Sequence, residues 1–150
     1  MRQKPSLKAR ALRFLSNREH SARELASKLE PYAEDGDDIE ALIEWLKESG
    51  YLSEERFAES YARRRGARYG SRQVLHELQN HRLPESVILE ISETLKETEL
   101  QRAAAVWEKR FGKSPETFQE KAKQIRFLQQ RGFPSDVIRK VIKGDFDEFE

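Results

Sequence analysis

Apolar residues recur three or four positions apart along almost the whole chain. Leu7, Ala11, Phe14 and Leu15 fall on one helical face, as do Ile39, Leu42, Ile43 and Leu46, and then Val137, Ile138, Val141 and Ile142. No segment shows the strict alternation of a half-buried strand. The spacing predicts an all-α protein of about nine helices, over 6–16, 21–30, 37–49, 53–67, 71–80, 84–96, 98–111, 115–130 and 134–143. Local chemistry agrees with these boundaries. Ser21 with Glu24 forms a capping box, Ser53 precedes the acidic first turn of Glu54 and Glu55, and Pro84 and Pro134 suit helix starts. Gly50, Gly112 and Gly132 follow periodic runs, where left-handed helix stops belong.

The helices repeat as a group. "LHELQNHRLPESVILEI" and "IRFLQQRGFPSDVIRKVI" superimpose when Pro84 is placed on Pro134, which aligns Leu75 with Ile125, Leu78 with Leu128, Leu83 with Phe133, Val87 with Val137 and Ile88 with Ile138. "LRFLSNREHSARELASKL" and "LIEWLKESGYLSEERF" follow the same grammar more loosely. Three tandem three-helix repeats are expected: 1–52 with a basic N-terminal arm, 53–97 with an arginine-rich stretch, and 98–150 with an acidic tail. A unit this small buries only a narrow stripe, so neighbours must stack, and the expected shape is an elongated, curved array. Phe14, Trp45, Phe57, Tyr61, Trp107, Phe111, Phe118 and Phe127 lie on apolar faces and read as core or junction residues.

Charge changes the picture more than hydropathy does. Charged residues make up 37% of the chain, above the usual quarter, yet the formal net charge is only +1. The signs are segregated. Residues 2–23 hold seven Lys or Arg against Glu19, residues 30–60 hold eleven acids against Lys47 and Arg56, and the end "GDFDEFE" is acidic. "YARRRGARYGSR" places Arg63, Arg64, Arg65, Arg68 and Arg72 in a span with no acid between Glu59 and Glu77. One or two cations offset a helix C-terminus. Five exceed that need, and they suit an anionic partner, phosphate or carboxylate, with Gly66 and Gly70 allowing close approach and Tyr69 either packing in the turn or stacking on a base.

Other chemistries are poorly represented. There is no cysteine, so disulfides, thiolate metal sites and cysteine nucleophiles are excluded. His76 and His81 are five apart, a spacing that separates them on a helix, and neither HExxH nor a phosphate-binding glycine loop is present. The chain is therefore expected to have no catalytic residues, no metal and no cofactor. With no long apolar run and no apolar leader in "MRQKPSLKAR", it is expected to be cytoplasmic and free of the membrane. A helix-turn-helix DNA reader is weakly supported, because "PESVILEISETL" and "PSDVIRKVI" open on acids that would meet phosphates badly.

The order of these pieces resembles the RecX family of bacterial recombinase regulators over nearly the whole chain. Leu12, Leu15, Ser16, Arg18, Glu19, Ser21, Glu24, Leu25 and Leu29 look like its opening "L..LS.RE.S..EL..KL". Gly50, Tyr51, Leu52, Arg56, Phe57 and Ala58 look like "GYL...RFA", and Tyr69, Gly70, Arg72 and Leu78 like "YG..R...EL". Phe127, Leu128, Arg131, Gly132 and Phe133 look like the closing "FL..RGF". Arg82 and Leu83 depart from the family's usual glycine and isoleucine, and Ser53 and Glu54 stand where acids are usual after "GYL".

The resemblance implies a regulator that binds RecA and lodges in the groove of its filament on single-stranded DNA. There it would block extension and inhibit recombinase, ATPase and coprotease activities. The expected contact residues are Arg63, Arg64, Arg65, Arg68, Tyr69 and Arg72, then the first helix's Lys8, Arg10 and Arg13. The protein is expected to act as a monomer and to meet single-stranded DNA directly or through the filament. The rival reading is a sequence-independent nucleic-acid binder competing for single strands, and a third is a protein scaffold whose arginines only solubilise it.

Overall fold

The structure is a computed structural model that describes residues 4–143, so the acidic stretch 144–150 lies outside the described residues. Among the described residues there are eight α-helices and no strand. They are α1 (Leu7–Asn17), α2 (Ala22–Leu29), α3 (Ile39–Glu48), α4 (Glu54–Gly66), α5 (Ser71–Leu78), α6 (Glu85–Arg110), α7 (Phe118–Gln130) and α8 (Ser135–Lys143). Single 3-10 turns at Glu30–Tyr32 and Gln79–His81 extend α2 and α5.

Side chains start the helices where the sequence suggests. The hydroxyls of Ser6, Ser21, Ser53 and Thr117 and the carboxylate of Asp38 each accept the backbone N–H three residues on. Such caps contribute about 1 kcal/mol each. Glu24 does not close the expected box on Ser21; its carboxylate turns to Arg18, which grips both oxygens. Gly50, Gly112 and Gly132 hold φ of 80°, 63° and 93° and end α3, α6 and α7.

Eight helices carry the nine predicted segments because 84–96 and 98–111 form one helix of 26 residues. Neither glycine nor proline stands between Pro84 and Gly112, so nothing interrupts the backbone ladder. The repeat survives because the buried face changes. Val87, Ile91 and Leu95 pack with Phe57, Ala58, Ala62, Val74 and Leu78 of α4 and α5. Leu100, Ala103 and Trp107 pack with Leu128, Phe133, Ile138, Val141 and Ile142 of α7 and α8. At 100° per residue these two stripes of α6 lie about 150° apart. A third cluster, Ala11, Leu25, Leu29, Ile43, Leu46 and Leu52, serves α1 to α3.

The three cores follow one another in chain order, and the chain exposes 10471 Å². A compact protein of this mass would expose about 7,900 Å². Two of the aromatics expected in cores lie outside them: Phe118 is 86% exposed and Trp45 36%. Phe118 opens α7, at the edge of its stripe, and Trp45 stacks on Tyr51 at 5.7 Å instead.

The two joints between cores differ in kind. The first is polar. The buried Ser21 hydroxyl lies 2.7 Å from His81 Nδ1, Glu54 accepts the Ala22 N–H at 3.1 Å, and Arg56 Nε donates to Glu19 at 3.0 Å. Burial lowers the His81 pKa, which favours the uncharged ring at this contact. The second joint is α6 itself, tightened where two turns meet. Gly70 N–H donates to Arg131 O at 2.7 Å, and a Cβ on Gly70 would stand 2.3 Å from the Gly132 carbonyl.

Gly70→Ala should therefore cost about 2–3 kcal/mol of stability, because only backbone lies in the way. Urea unfolding checks this, and a loss below 0.5 kcal/mol would disprove the close packing. Arg82 holds a left-handed conformation, φ 49° and ψ 48°. Arg82→Gly should raise the stability by about 1 kcal/mol in the same assay.

Candidate functional site

The arginine-rich stretch spans the end of α4, a four-residue turn and the start of α5. What holds it lies behind it, on α6. Arg102 Nη1 donates to the carbonyls of Gly66 (2.9 Å) and Tyr69 (2.8 Å), which closes the C-terminal end of α4. Its neighbour Glu99, 3% exposed, accepts the Ser71 N–H at 3.1 Å and the Ser71 hydroxyl at 2.9 Å, which caps α5 from outside. The two side chains also pair with each other at 2.6 Å. Burial lowers the Arg102 pKa, opposed by Glu99. Gly66 is buried against Leu95 and Arg102, close enough that a Cβ there would make ordinary contact with both.

With its back fixed, the stretch fans outward. Successive residues of a helix differ by 100°, so Arg63, Arg64 and Arg65 cannot share a face. Arg63 lines the α4–α6 groove beside Glu55, Glu59 and Glu90. Arg64 is exposed, its guanidinium 5.6 Å from the Tyr61 ring. Arg65 turns inward and grips Glu77 with two hydrogen bonds of 2.9 Å. Arg68 is exposed in the turn. Arg72 lies apart, in a groove of α5, α6 and α8 with Lys96 and Lys140. Among the described residues, Arg63, Arg64, Arg68 and Arg72 have no carboxylate partner within 4.0 Å.

Glu77 is the hub of the internal part. It accepts hydrogen bonds from Arg65, from the Tyr61 hydroxyl at 2.5 Å and from Gln73 at 2.8 Å. The Arg65 bonds, helped by Tyr61 and Gln73, hold its pKa down at about 2. Burial, with the Glu77 hydrogen bond, pushes Tyr61 up to about 12. Arg65 is thus a structural cation.

Tyr69 packs as expected, but between two guanidiniums. Arg65 lies 4.2 Å from its ring centre and Arg131, from the end of α7, 4.9 Å. Arg131 lies 5.0 Å from Phe127, and Arg110 of α6 lies 5.5 Å from the same ring. Arg110 and Arg131 were beyond the sequence reading of the site, although Arg131 belongs to the quoted "RGF" element. Arg131 Nη1 reaches the carbonyl of Arg68, 63 positions away, at 3.3 Å. No local pattern signals such a contact.

The expected basic face of α1 is divided. Lys8 Nζ lies 3.8 Å from the centre of Trp45 on α3, whereas Arg10 lies 3.9 Å from Tyr32. Arg13 shares the groove of Arg10 and Tyr32. Positions 8 and 10 are 200° apart on a helix, so Lys8 and Arg10 brace different neighbours. No cluster of His, Cys, Asp and Glu among the described residues could hold a metal ion, and no described helix is long and apolar enough to cross a membrane.

Arg65→Gln should free Glu77 to titrate near the ordinary carboxylate range. Glu77 has a folded pKa of about 2 against 4.5 unperturbed, so its contribution is complete above pH 4.5 and disappears as pH falls through about 2. Thermal unfolding across pH 2–5 should fall less steeply for the variant, and identical slopes would refute the hub.

Comparison with known proteins follows this geometry. Domain descriptions of the RecX family match three segments: the first three-helix domain at 8–46, the second at 53–90 and the third at 97–142. The regulatory protein RecX of Herbaspirillum seropedicae is 51% identical over 138 residues, covering 92% of this chain and 90% of its own. The regulatory protein RecX of Ralstonia nicotianae is 48% identical over 143 residues, covering 95% of this chain and 90% of its own. The crystal structure of RecX from Lactobacillus salivarius has the same fold, with a TM-score of 0.75, 20% identity and 94% of each chain covered.

Proposed function

The chain belongs to the RecX family of regulatory proteins, and we propose that it regulates RecA by binding its filament on single-stranded DNA. In this reading the protein lies along the filament groove, contacts several protomers, and inhibits extension together with recombinase, ATPase and coprotease activities. It supplies no catalytic group of its own. Binding alone suffices, because protomers held in one packing cannot exchange or complete their catalytic cycle.

One observation carries the proposal: exposed arginines without internal partners are displayed by a stack of units whose second joint is a continuous helix. Arg64 and Arg68 are both exposed and uncommitted to a carboxylate among the described residues. Exposed guanidiniums suit either carboxylates of a protein groove or phosphates, since each offers a planar pair of N–H donors. Arg63 and Arg72, in their separate grooves, would touch other parts of the partner. Arg65, Tyr69, Lys8 and Arg10 support the surface from within, and Arg13 extends it on the first unit.

The test is ATP hydrolysis by RecA on single-stranded DNA, titrated with this protein below the RecA concentration. Inhibition well below one copy per protomer is expected, because one bound molecule affects many protomers. Arg64→Glu with Arg68→Glu should raise the half-inhibitory concentration at least tenfold without changing the circular dichroism spectrum. Full inhibition by that folded double variant would refute the assignment, and none by the wild-type chain would refute the filament reading.

A further inference from the structure

The arginines and aromatic rings at the second joint form a line that crosses from one unit to the next. It runs from Arg65 to Tyr69 (4.2 Å), to Arg131 (4.9 Å), to Phe127 (5.0 Å) and to Arg110 (5.5 Å). Phe111 closes it, edge-on to Phe127 at 5.4 Å. Arg68 lies beside the line through its carbonyl, which accepts from Arg131. The line draws on α4, its following turn, α6 and α7, so folding alone brings its members together.

Stacking treats a guanidinium differently from an ion pair. A carboxylate consumes the N–H edge, as Glu77 does for Arg65. An aromatic face holds the plane and leaves the edge available. Arg110 has no hydrogen bond or ion pair among the described residues, and Arg131 spends one weak contact of 3.3 Å on Arg68. Both are therefore held in place with donors unspent. Their rings are only half-buried, since Tyr69, Phe127 and Phe111 all keep some exposure.

We propose that Arg131 and Arg110, aligned by Tyr69 and Phe127, form with the exposed Arg68 of the adjoining turn a binding strip for the sugar-phosphate backbone of a single strand of nucleic acid. Donors recurring along a line suit a ligand whose anions also recur along a line, and the half-exposed rings beside them give unpaired bases a surface for stacking. Carboxylates of a protein surface would use the donor edges alone and bring no base to the ring faces. The inference deepens the filament reading by giving its nucleic-acid side a surface, but it stands on the geometry of this joint and is tested without RecA.

The experiment is fluorescence anisotropy of a labelled oligothymidylate, titrated with the full chain over a range of salt. Arg110→Gln with Arg131→Gln should weaken binding at least tenfold and flatten the logarithmic salt dependence by about 0.7 for each lost phosphate contact. Arg110→Gln alone should give part of that loss with an unchanged circular dichroism spectrum and only a slight fall in thermal midpoint, since Arg110 contacts the rings of Phe111 and Phe127 but makes no hydrogen bond among the described residues. Lys121→Gln with Arg139→Gln removes the same charge from the α7–α8 groove and should leave binding within twofold. Equal losses from both pairs, or displacement by polyglutamate as effective as by unlabelled oligonucleotide, would overturn the strip. If the wild-type chain fails to bind oligothymidylate yet inhibits RecA below one copy per protomer, the strip falls and the filament reading stands.

Discussion

The pairing of the buried Glu99 with the part-buried Arg102 is the constraint on which the arrangement depends. Three residues apart on α6, they serve two different helices: one receives the N-terminal N–H of α5, the other covers the last carbonyl of α4 and that of Tyr69 in the turn beyond it. Helix ends leave such groups unsatisfied, and water cannot reach them freely here. Each charge would be costly to bury alone, while together they neutralise one another and fix a turn that has little apolar content of its own. The outward direction of Arg64 and Arg68 follows from this inward anchoring.

The joints divide the molecule unequally. Between the second and third cores runs an unbroken helix, reinforced by backbone against backbone at Gly70 and Gly132. Between the first and second, the contacts among the described residues include the Ser21–His81 hydrogen bond and the Arg56–Glu19 ion pair. The exposed members of this set exchange with water at small net cost, whereas the buried Ser21 hydroxyl would be left unsatisfied without its partner. The first unit is thus held to the second by specific polar contacts, not by a shared helix.

Much of the fold was legible in the sequence because its signals are local. Period, caps and stops at Ser21, Ser53, Gly50, Gly112 and Gly132 all act within one turn of the chain. The unbroken α6 was legible too, in the absence of any breaker between Pro84 and Gly112, but the strength of the repeat argued for a boundary that the backbone does not need. The candidate site was harder to read. Adjacent arginines look like one patch in a string of letters, yet a helix separates them, and Glu77 takes Arg65 from 12 positions away. Arg131 meets Tyr69 only because two inter-unit turns touch, which no window on the sequence contains.

The continuous α6 also makes its own length an angular setting. At 26 residues it is about 39 Å long, and each residue contributes 1.5 Å and 100° to the placement of everything beyond it. One residue inserted between Leu95 and Leu100 would swing the third core around the helix axis by more than a quarter turn, parting Gly132 from Gly70. Loops elsewhere in the chain can lengthen without such leverage. The helix therefore works as a gauge, and its residue count is as much a part of the protein's geometry as any side chain it carries.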